Sequence, residues 1–288
     1  MNKYPAVLSI AGSDSGGGAG IQADIKTISA LGCFATTAIT AVTAQNTLGV
    51  DEIHPIPAKI VRAQIKAVMD DIRPLAIKIG MVHHAKLATT IVSVLKEYQG
   101  IPIVFDPVMV ATSGDPLIKY NTVEIFKQAL FPLARLITPN LDEASIITGI
   151  TIYTLADMKV CARQMIRSGC NAVLIKGGHL KGPTLYDVFM NKNGDEYIFK
   201  SKAIDTINTH GTGCSLSSAI ASYMALGNDL VSSIVKSTDY VQNAIRHGMD
   251  VKTGGGSGPL NHFFNPQKLV IADVGEHLGM TTLDKSLR

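Results

Sequence analysis

The sequence has little of what marks several large classes of protein. It contains no tryptophan, and only 6% of its 288 residues are aromatic and 17% are charged. The net charge is +3 and the sequence has no basic run, so the composition gives no indication of a nucleic-acid partner. No apolar stretch is long enough to span a membrane, and no charged and apolar leader precedes the first strand-like run. We therefore expect neither membrane insertion nor secretion.

Cysteine is also scarce, and its spacing argues against two common uses. The four cysteines, Cys33, Cys161, Cys170 and Cys214, lie far apart, and none belongs to a C-x-x-C pair. This spacing argues against a zinc site and against a disulfide framework. We therefore expect a protein of the reducing cytoplasm, in which the first three cysteines are structural.

The sequence does have a regular alternation of short apolar runs and amphipathic stretches. The apolar runs are rich in Val and Ile, as expected for strands that are buried on both faces. They cover residues 6–11, 35–44, 75–79, 102–106, 136–138 and 172–176. Predicted helices lie between and after them at 21–31, 58–71, 85–99, 123–129, 143–148 and 155–167. This repetition predicts an α/β fold, with a mostly parallel sheet covered by helices and right-handed crossovers.

The alternation changes in the last third of the chain. Two alternating runs, 186–190 and 196–199, flank an Asn193-Gly194 turn, which predicts a hairpin and an antiparallel edge of the sheet. No linker or internal repeat divides the sequence, so we expect one domain over residues 1–288. Two further helices are predicted at 215–225 and 231–247. Residues 254–258 are predicted to be the most flexible segment, and the tail after about residue 275 is predicted to be disordered.

Several residues follow the predicted strands directly. Ligands of open α/β sheets bind beyond the carboxyl ends of the strands, so residues at these ends are expected to meet. They are Ser13, Asp14, Gln45, Asn46, Met81, Asp106, Asn140 and Lys176. Their common placement predicts one composite site.

The segment 208–214, Asn-Thr-His-Gly-Thr-Gly-Cys, combines a tight turn with the start of a helix. Its two glycines let backbone N–H groups approach a ligand, and the helix directs its positive dipole end to the same place. This arrangement predicts an anion hole for a phosphoryl group. Cys214 ends the segment, where the helix start is expected to lower its pKa and make it a base. The alternative is an inert buried thiol, and His210 either contacts a phosphate or packs in the loop.

The loop from Ser13 to Gly20 is rich in glycine, but it lacks the spacing of two known nucleotide motifs. It has neither G-x-G-x-x-G nor the Gly-Lys-Ser/Thr of a Walker A loop. Two interpretations remain open. The loop either approaches a small substrate, with Asp24 on the next helix, or is simply a tight turn between strand and helix.

Charged residues near other strand ends also have two interpretations. Asn140 and Glu143 fit a capping box, whereas Glu143 also fits a site that holds Mg²⁺ through water. Asp106 ends a strand, where a buried carboxylate is expected to meet a cation. Lys176 precedes Gly177-Gly178-His179 and is either a ligand of nucleotide phosphates or a surface lysine.

Taken together, the motifs make the sequence resemble the ribokinase-like superfamily. Within that superfamily it is similar to the hydroxymethylpyrimidine/phosphomethylpyrimidine kinases of thiamine biosynthesis. The matching segments occur in order at residues 10–24, 43–47, 78–81, 106–109, 138–144, 176–179 and 208–214. The wider superfamily generally has Asp where this sequence has Cys214.

The resemblance implies a three-layer α/β/α fold and an ATP-dependent kinase with Mg²⁺, and it leaves open whether a monovalent cation assists. It implies that the hydroxymethyl group of 4-amino-5-hydroxymethyl-2-methylpyrimidine is phosphorylated, and that the monophosphate is then converted to the diphosphate. A cytoplasmic homodimer is also expected by resemblance, with no membrane or nucleic-acid partner.

The resemblance further implies a role for individual residues. Gln45 would bind the pyrimidine edge, in a pocket shaped by Gly12, Ala19, Asp24, Met81 and Val108. Asp106 and Glu143 would organise Mg²⁺, and Asn140, Lys176 and Thr209 would contact ATP. Gly211, Thr212 and Gly213 would form the anion hole, and Cys214 would be the base.

Two alternatives stay open at the level of the sequence. A pyridoxal or pyridoxine kinase has the same fold and a similar hydroxymethyl heteroaromatic substrate, and a bifunctional enzyme would accept both. A non-catalytic protein that binds a vitamin precursor is the other alternative. Intact Cys214, Lys176 and Glu143 argue against it.

Overall fold

The central feature of the fold is a large mixed sheet. The computed structural model describes residues 2–110, 117, 122–178 and 182–273. The strands are β1 (Asn2–Lys3), β2 (Ala6–Asp14), β3 (Phe34–Gln45), β4 (Val50–Pro55), β5 (Ala76–Ile79), β6 (Ile103–Phe105), β7 (Leu136–Ile137), β8 (Ala172–Ile175), β9 (Thr184–Asn191), β10 (Glu196–Lys202) and β11 (Ala272–Asp273). β1 and β11 pair with each other, and the other nine form one sheet in the order β10-β9-β8-β7-β6-β5-β2-β3-β4.

The centre of this sheet is parallel and both of its edges are antiparallel. The six strands from β8 to β3 run parallel, and β9 and β10 form the predicted hairpin at one edge. At the other edge β4 pairs antiparallel with β3, and no sequence pattern predicts this strand. Its residues are exposed or half-buried and include Asp51, Glu52 and His54. An edge strand of this kind has no apolar signal, because little of it reaches a core.

Helices cover the sheet on both faces. They are α1 (Gly20–Ala30), α2 (Ala58–Asp71), α3 (Ala85–Leu95), α4 (Thr122–Ile125), α5 (Leu141–Thr148), α6 (Leu155–Arg167), α7 (Thr212–Ala225) and α8 (Leu230–Gly248), and α4 continues as a π-helical turn at Phe126–Leu130. Buried side chains of α2, α3, α5 and α6 share one core with the sheet, and those of α1, α7 and α8 share the other. The three-layer α/β/α fold is therefore confirmed.

Alternation along β2 shows why the strands are apolar on both faces. Leu8 and Ile10 pack into the core below α2–α6, and Val7 packs into the core below α7 and α8. Successive side chains of a strand point to opposite faces, so a strand between two helical layers needs apolar residues at nearly every position.

The order of the strands also sets the place of the main crevice. β2 has β3 on one side and β5 on the other, and the chain reaches β3 through α1 and β5 through α2. These two helices lie on opposite faces of the sheet. Loops at the carboxyl ends of β2 and its neighbours therefore diverge, which opens a crevice at this edge.

Two predictions concern flexible segments. Residues 254–258 form hydrogen bonds with Thr47 and Ile207, and their being the most flexible segment stays a prediction. The tail after residue 275, which is expected to be disordered, lies outside the described residues. His179 lies outside them as well. Among the helices of the described ranges, none has both the length and the apolarity needed to cross a membrane.

Candidate active site

A cavity of about 670 Å³ opens at the carboxyl edge of the sheet. The ends of six neighbouring strands contribute to its wall. The residues at these ends are Asp14, Gln45, Met81, Asp106, Asn140 and Lys176. The structure thus brings together nearly all of the strand-end residues that the sequence singled out. The exception is Asn46, which does not line the cavity.

The loop before α7 is built for close backbone approach. Gly211 has a φ of +86°, and a Cβ atom there would lie 1.9 Å from the carbonyl oxygen of Gly18. A Cβ atom on Gly213 would lie 3.1 Å from Nζ of Lys176. Glycine is required at position 211 by conformation and contact, and at 213 it leaves room beside the lysine. The backbone at the start of α7 therefore faces the cavity next to a cation, as an anion hole needs.

Cys214 lies in the first turn of α7 and lines the cavity. The backbone N–H of Gly20 donates a hydrogen bond to its sulfur. Burial raises the pKa of the thiol to about 11, although the nearby Lys78 ammonium acts in the opposite direction. The expectation that the helix start lowers this pKa is therefore wrong for the ligand-free protein, because desolvation outweighs the favourable charges.

Asp24 lies behind the cavity wall rather than in it. The side chains of Asp24 and Lys78 are both fully buried, and Nζ of Lys78 donates to the two carboxylate oxygens at 2.9 and 2.8 Å. Ser9 and Ser218 donate to the same carboxylate. Because buried charges need partners, Asp24 is saturated by this network. Asp24 is predicted to shape the substrate pocket, but it is not among the residues that line the cavity. Lys78 lines the cavity instead, and Asp24 holds Lys78 in place.

Asp106 and Lys176 form a second charged pair, in which Asp106 is buried and Lys176 is half-buried. Nζ of Lys176 lies 2.8 Å from Oδ1 of Asp106, and Thr138 donates to the same oxygen. Burial acts to lower the pKa of Lys176, but the carboxylates of Asp106 and Glu143 outweigh this effect. The pKa is raised above its ordinary value, so the lysine is a cation. Asp106 therefore does meet a cation, and that cation is Lys176.

Both interpretations of the Asn140–Glu143 pair hold geometrically. Asn140 caps α5, and the two residues exchange hydrogen bonds of 2.8 Å in a complete capping box. Glu143 nevertheless lines the cavity, and its burial raises its pKa to about 7. The carboxylate thus has a structural role and still faces the cavity, where a cation would favour its charged form.

The two carboxylates of Asp106 and Glu143 fit a magnesium ion that is also bound by water and by the phosphates of a substrate. In the described part of the chain, no three His, Cys, Asp or Glu side chains are grouped as an all-protein metal site. Mg²⁺ prefers oxygen ligands and is commonly bound by one or two carboxylates together with water and substrate phosphates. The donors present fit a magnesium ion that arrives with a nucleotide.

Asp14 organises the glycine-rich loop and joins it to the anion-hole loop. Its carboxylate accepts hydrogen bonds from the backbone N–H groups of Gly16, Gly18 and Ala19. Nε2 of His210 lies 2.9 Å from the same carboxylate. Burial raises the pKa of Asp14, but these hydrogen bonds lower it below its ordinary value. Of the two interpretations open for His210, the structure places its ring against Asp14.

One side of the cavity is formed by the ends of β2, β3 and β5. We call it the acceptor side, because the molecule that accepts a phosphoryl group is predicted to bind at Gln45. Gln45 lines it, and its side-chain oxygen accepts a hydrogen bond from Thr43. The backbone of Gln45 is also held by two hydrogen bonds with Ser15 of the glycine-rich loop. Gly12, Ala19, Met81 and Val108 also line the cavity, and their role around a small ring stays a prediction.

The opposite side of the cavity is an apolar slot that sequence reasoning missed. Its wall is formed by Ile204, Leu216, Val241 and Ile245, and the polar side chains of Thr238 and Gln242 also face it. The α8 residues are spaced three or four apart and form one helix face. Val241 and Ile245 also belong to the core, so their pattern alone indicates burial and not a ligand.

Lys78 and Asp187 are two further cavity residues to which the sequence patterns assign no role. The Asp187 carboxylate accepts a hydrogen bond from the Gly177 N–H, next to Lys176, and its burial raises its pKa to about 6. Both residues lie within strands, and the sequence of a strand does not show which of its two faces lines a cavity. Only the position of each strand in the sheet shows that these two point to the cavity.

The chain is similar to known kinases in sequence. The family model described as phosphomethylpyrimidine kinase matches residues 14–261. A hydroxymethylpyrimidine/phosphomethylpyrimidine kinase of Rhizobium meliloti is 46% identical over 258 residues, which cover 89% of this chain and 96% of that protein.

Solved structures agree with this similarity. A phosphomethylpyrimidine kinase of Clostridium difficile superposes with a TM-score of 0.74 at 44% identity, and covers 83% of this chain and 99% of its own. A pyridoxal kinase of Staphylococcus aureus, in complex with AMP-PCP and pyridoxal, has a TM-score of 0.83 at 28% identity. It covers 94% of this chain and 98% of its own.

Proposed function

The chain belongs to the phosphomethylpyrimidine kinase family, and from this premise we propose that it transfers the γ-phosphoryl group of ATP to 4-amino-5-hydroxymethyl-2-methylpyrimidine. A second transfer converts the monophosphate to the diphosphate, as a step of thiamine biosynthesis. The observation that carries the proposal is the position of Cys214 and the Gly211–Gly213 backbone. They line the same cavity as Gln45 and the apolar residues of α7 and α8, beside the Lys176 ammonium.

The pyrimidine is proposed to bind on the Gln45 side of the cavity. The amide of Gln45 can pair with the aminopyrimidine edge, which offers both a donor and an acceptor. Gly12 leaves room for the ring, since a Cβ atom there would lie 3.1 Å from Sδ of Met81. Ala19 and Val108 supply small apolar contacts, so the site is suited to a compact ring that carries few substituents.

ATP is proposed to lie with its base in the apolar slot and its phosphates toward the anion hole. Leu216, Val241 and Ile245 offer a flat apolar surface for a purine ring. Lys176 is the cation nearest to Gly213, and in the ligand-free protein it is paired with Asp106. We infer that the lysine turns part of its hydrogen bonding to the phosphates, with Asn140 and Thr209 beside it.

Phosphoryl transfer is assigned to the start of α7. The backbone N–H groups of residues 211–213 and the helix dipole would stabilise charge on the transferred phosphoryl group. Cys214 would take the proton of the hydroxymethyl group. A primary alcohol is a far weaker acid than a thiol, so this proton leaves late, as the bond to the phosphoryl group forms. Positioning and charge stabilisation then supply most of the acceleration.

Magnesium is proposed to be held by Asp106 and Glu143, and when bound it would neutralise charge on the phosphates. Asp106 would keep its contact with Lys176, so that the two cations share the carboxylate. The resemblance also leads us to propose a homodimer in the cytoplasm. Whether a monovalent cation assists is a separate question, answered by assays in potassium-free buffer.

A parallel kinase assay tests the proposed function. Purified protein is given MgATP with hydroxymethylpyrimidine, with its monophosphate, or with pyridoxal, and ADP and the products are measured. We expect turnover of both pyrimidines with a kcat/KM that exceeds that for pyridoxal. A higher kcat/KM for pyridoxal would overturn the assignment in favour of a vitamin B6 kinase, and binding without turnover would indicate a non-catalytic protein.

A further inference from the structure

Residues 254–258, called the glycine strap here, lie against the turn that follows Gln45. The backbone N–H of Ser257 donates to the carbonyl of Thr47 at 3.1 Å, and the N–H of Gly256 donates to the Thr47 hydroxyl at 3.1 Å. A Cβ atom on Gly256 would lie 2.0 Å from the Thr47 carbonyl oxygen. The strap and the turn are therefore in direct backbone contact, which a larger residue at 256 would prevent.

The same strap is attached to the anion-hole loop on its other side. The Ser257 hydroxyl donates to the carbonyl of Ile207 at 2.7 Å, and the N–H of His210 donates to the carbonyl of Gly258 at 3.1 Å. A Cβ atom on Gly258 would lie 2.2 Å from Oδ1 of Asn208. The side chain of Asn208 donates in turn to the carbonyls of Gly248, Met249 and Val251, just before the strap.

We propose that the glycine strap fixes the distance between the acceptor turn and the anion hole, with Thr47 as a positioning residue for phosphoryl transfer. Thr47 is two residues from Gln45, and Ile207 and His210 lie just before the Gly211 turn. The backbone of the strap hydrogen-bonds to both segments, and the glycine-rich loop also contacts both, through Ser15 and Asp14. Glycine is needed at 256 because the strap approaches the Thr47 backbone more closely than any side chain permits, and at 258 because a Cβ atom would meet the Asn208 side chain. The inference rests on the proposed function for its catalytic readout.

A link between these two segments would affect the rate of phosphoryl transfer. The acceptor oxygen and the phosphorus must meet in line, and a misplacement of about 1 Å can cost about a hundredfold in rate. Gln45 would set the position of the acceptor, and residues 211–213 would set that of the phosphoryl group. These segments are more than 160 residues apart in the sequence, so their register depends on contacts between them.

Two adjacent substitutions provide a matched test. In Gly256→Ala the new methyl group meets the Thr47 carbonyl, whereas in Gly255→Ala it meets the flexible Leu48 side chain at an ordinary 3.5 Å. Both change glycine to alanine one residue apart. We expect Gly256→Ala to lower kcat/KM for the acceptor by at least about tenfold, through both kcat and acceptor KM, with little change in KM for MgATP. Gly255→Ala should behave like the unchanged protein.

Thr47 supplies a second comparison. Thr47→Val keeps the shape of the side chain but removes the oxygen that accepts from Gly256, and we expect a raised acceptor KM. Thr47→Ser keeps that oxygen and should restore the acceptor KM. Equal effects of the two variants would overturn the role given to Thr47. A lower Tm in Gly256→Ala with both KM values and kcat unchanged would reduce the strap to a structural element.

Hydrogen exchange of the ligand-free protein tests the link without any substrate. In Gly256→Ala we expect faster exchange of amides at 45–48 and at 207–211 together, and no such change in Gly255→Ala. Faster exchange confined to the strap would overturn the proposal. If the unchanged protein fails to phosphorylate any pyrimidine, the proposed function fails, whereas the exchange result still decides whether the strap links the two loops.

Discussion

Cys214 shows how much the surroundings of one residue decide its chemistry. Its place in the first turn of α7 favours a thiolate, but desolvation is the larger effect and raises the pKa of the thiol to about 11 in the ligand-free protein. The thiol is therefore mainly protonated at pH 7. A bound nucleotide and metal would change the charges around it, so the ionisation that matters belongs to the complete complex.

Replacement of Cys214 by alanine tests its assignment as the base. We expect kcat to fall by at least about a hundredfold, the usual contribution of a positioned general base, while the fold is kept because the side chain is small and lies at the cavity wall. Rates are measured with hydroxymethylpyrimidine, and folding is checked by circular dichroism and Tm. Cys161→Ala, at a buried cysteine away from the cavity, is the control for loss of a thiol. Near-normal turnover of Cys214→Ala would contradict the assignment.

Gln45 is the residue whose role depends most on the identity of the acceptor. We expect Gln45→Ala to raise KM for hydroxymethylpyrimidine by about tenfold, because one hydrogen-bonded contact to the ring is lost. KM for MgATP should change by less than about twofold, since the apolar slot lies on the other side of the cavity. Both constants come from the same initial-rate experiment. An equal rise in the two would show that Gln45 acts on the whole site and does not read the acceptor.

At the scale of elements, α7 connects the cavity to the buried polar groups beneath it. Three serines on its first two turns each contact a different buried group. Ser215 lies 3.0 Å from the His262 ring, Ser217 donates to Asp106, and Ser218 donates to Asp24. The helix that starts at the anion hole is thus held in place by polar contacts that carry specific geometry, in addition to its apolar face.

His262, next to α7, gives the fold a pH dependence of predictable sign. Burial, together with the charge of Lys26, lowers its pKa to about 4, against an ordinary value of 6.5. Between these values the unfolded chain binds a proton that the folded chain does not, so the free energy of unfolding falls as the pH drops through this range. From pH 7.5 to pH 5 this single group should cost about 2 kcal/mol.

The variant His262→Gln removes this titration and keeps a polar side chain beside Ser215. Denaturant unfolding at pH 7.5 and pH 5 should show a smaller loss of stability for the variant than for the unchanged protein. The difference between the two losses should be on the order of 2 kcal/mol. His247→Gln, which replaces an exposed histidine in the last turn of α8, is the control. Equal losses in all three proteins would contradict a buried neutral His262.

At the scale of the whole molecule, the two ends of the chain supply different halves of one cavity. The acceptor side comes from β2, β3 and β5, and the apolar slot comes from residues after β10, with α7 and α8. The Asp14–His210 contact and the glycine strap join these halves at two places. Because the proposed ligands contact both halves, their binding is expected to stabilise the molecule as a unit.

Removal of magnesium tests whether the carboxylates between the halves act with the nucleotide. AMP-PCP with Mg²⁺, at about a hundred times its Kd, should stabilise the protein by about 2.7 kcal/mol, which corresponds to a rise in Tm of roughly 5 °C. With EDTA the rise should be less than half of this. Glu143→Gln should show the small rise even with Mg²⁺, whereas Glu124→Gln, at an exposed residue, should match the unchanged protein. An equal rise with and without Mg²⁺ would contradict the role of Glu143.

Much of the fold and part of the candidate site could be predicted from local patterns. Continuous apolar runs identify parallel strands because both faces of each strand are buried, and the Asn193-Gly194 turn identifies the hairpin because few other residues adopt its conformation. Residues that follow such strands meet because parallel strands end at the same edge. The anion-hole segment and its cysteine could be recognised for the same reason, since the necessary residues are adjacent in the chain.

The remaining features were decided by tertiary contacts. The polar strand β4 is a strand because β3 offers it an edge, and the α8 residues line the slot because of the way α8 packs beside α7. Asp24 is a buried partner of Lys78 because α1 packs over β2, the neighbour of β5, and the pKa of Cys214 is raised because burial removes water from the thiol. By itself the sequence determined periodicity and local geometry, which act over a few residues. Burial and charge depend on residues brought together from distant parts of the chain, so only the tertiary structure decided them.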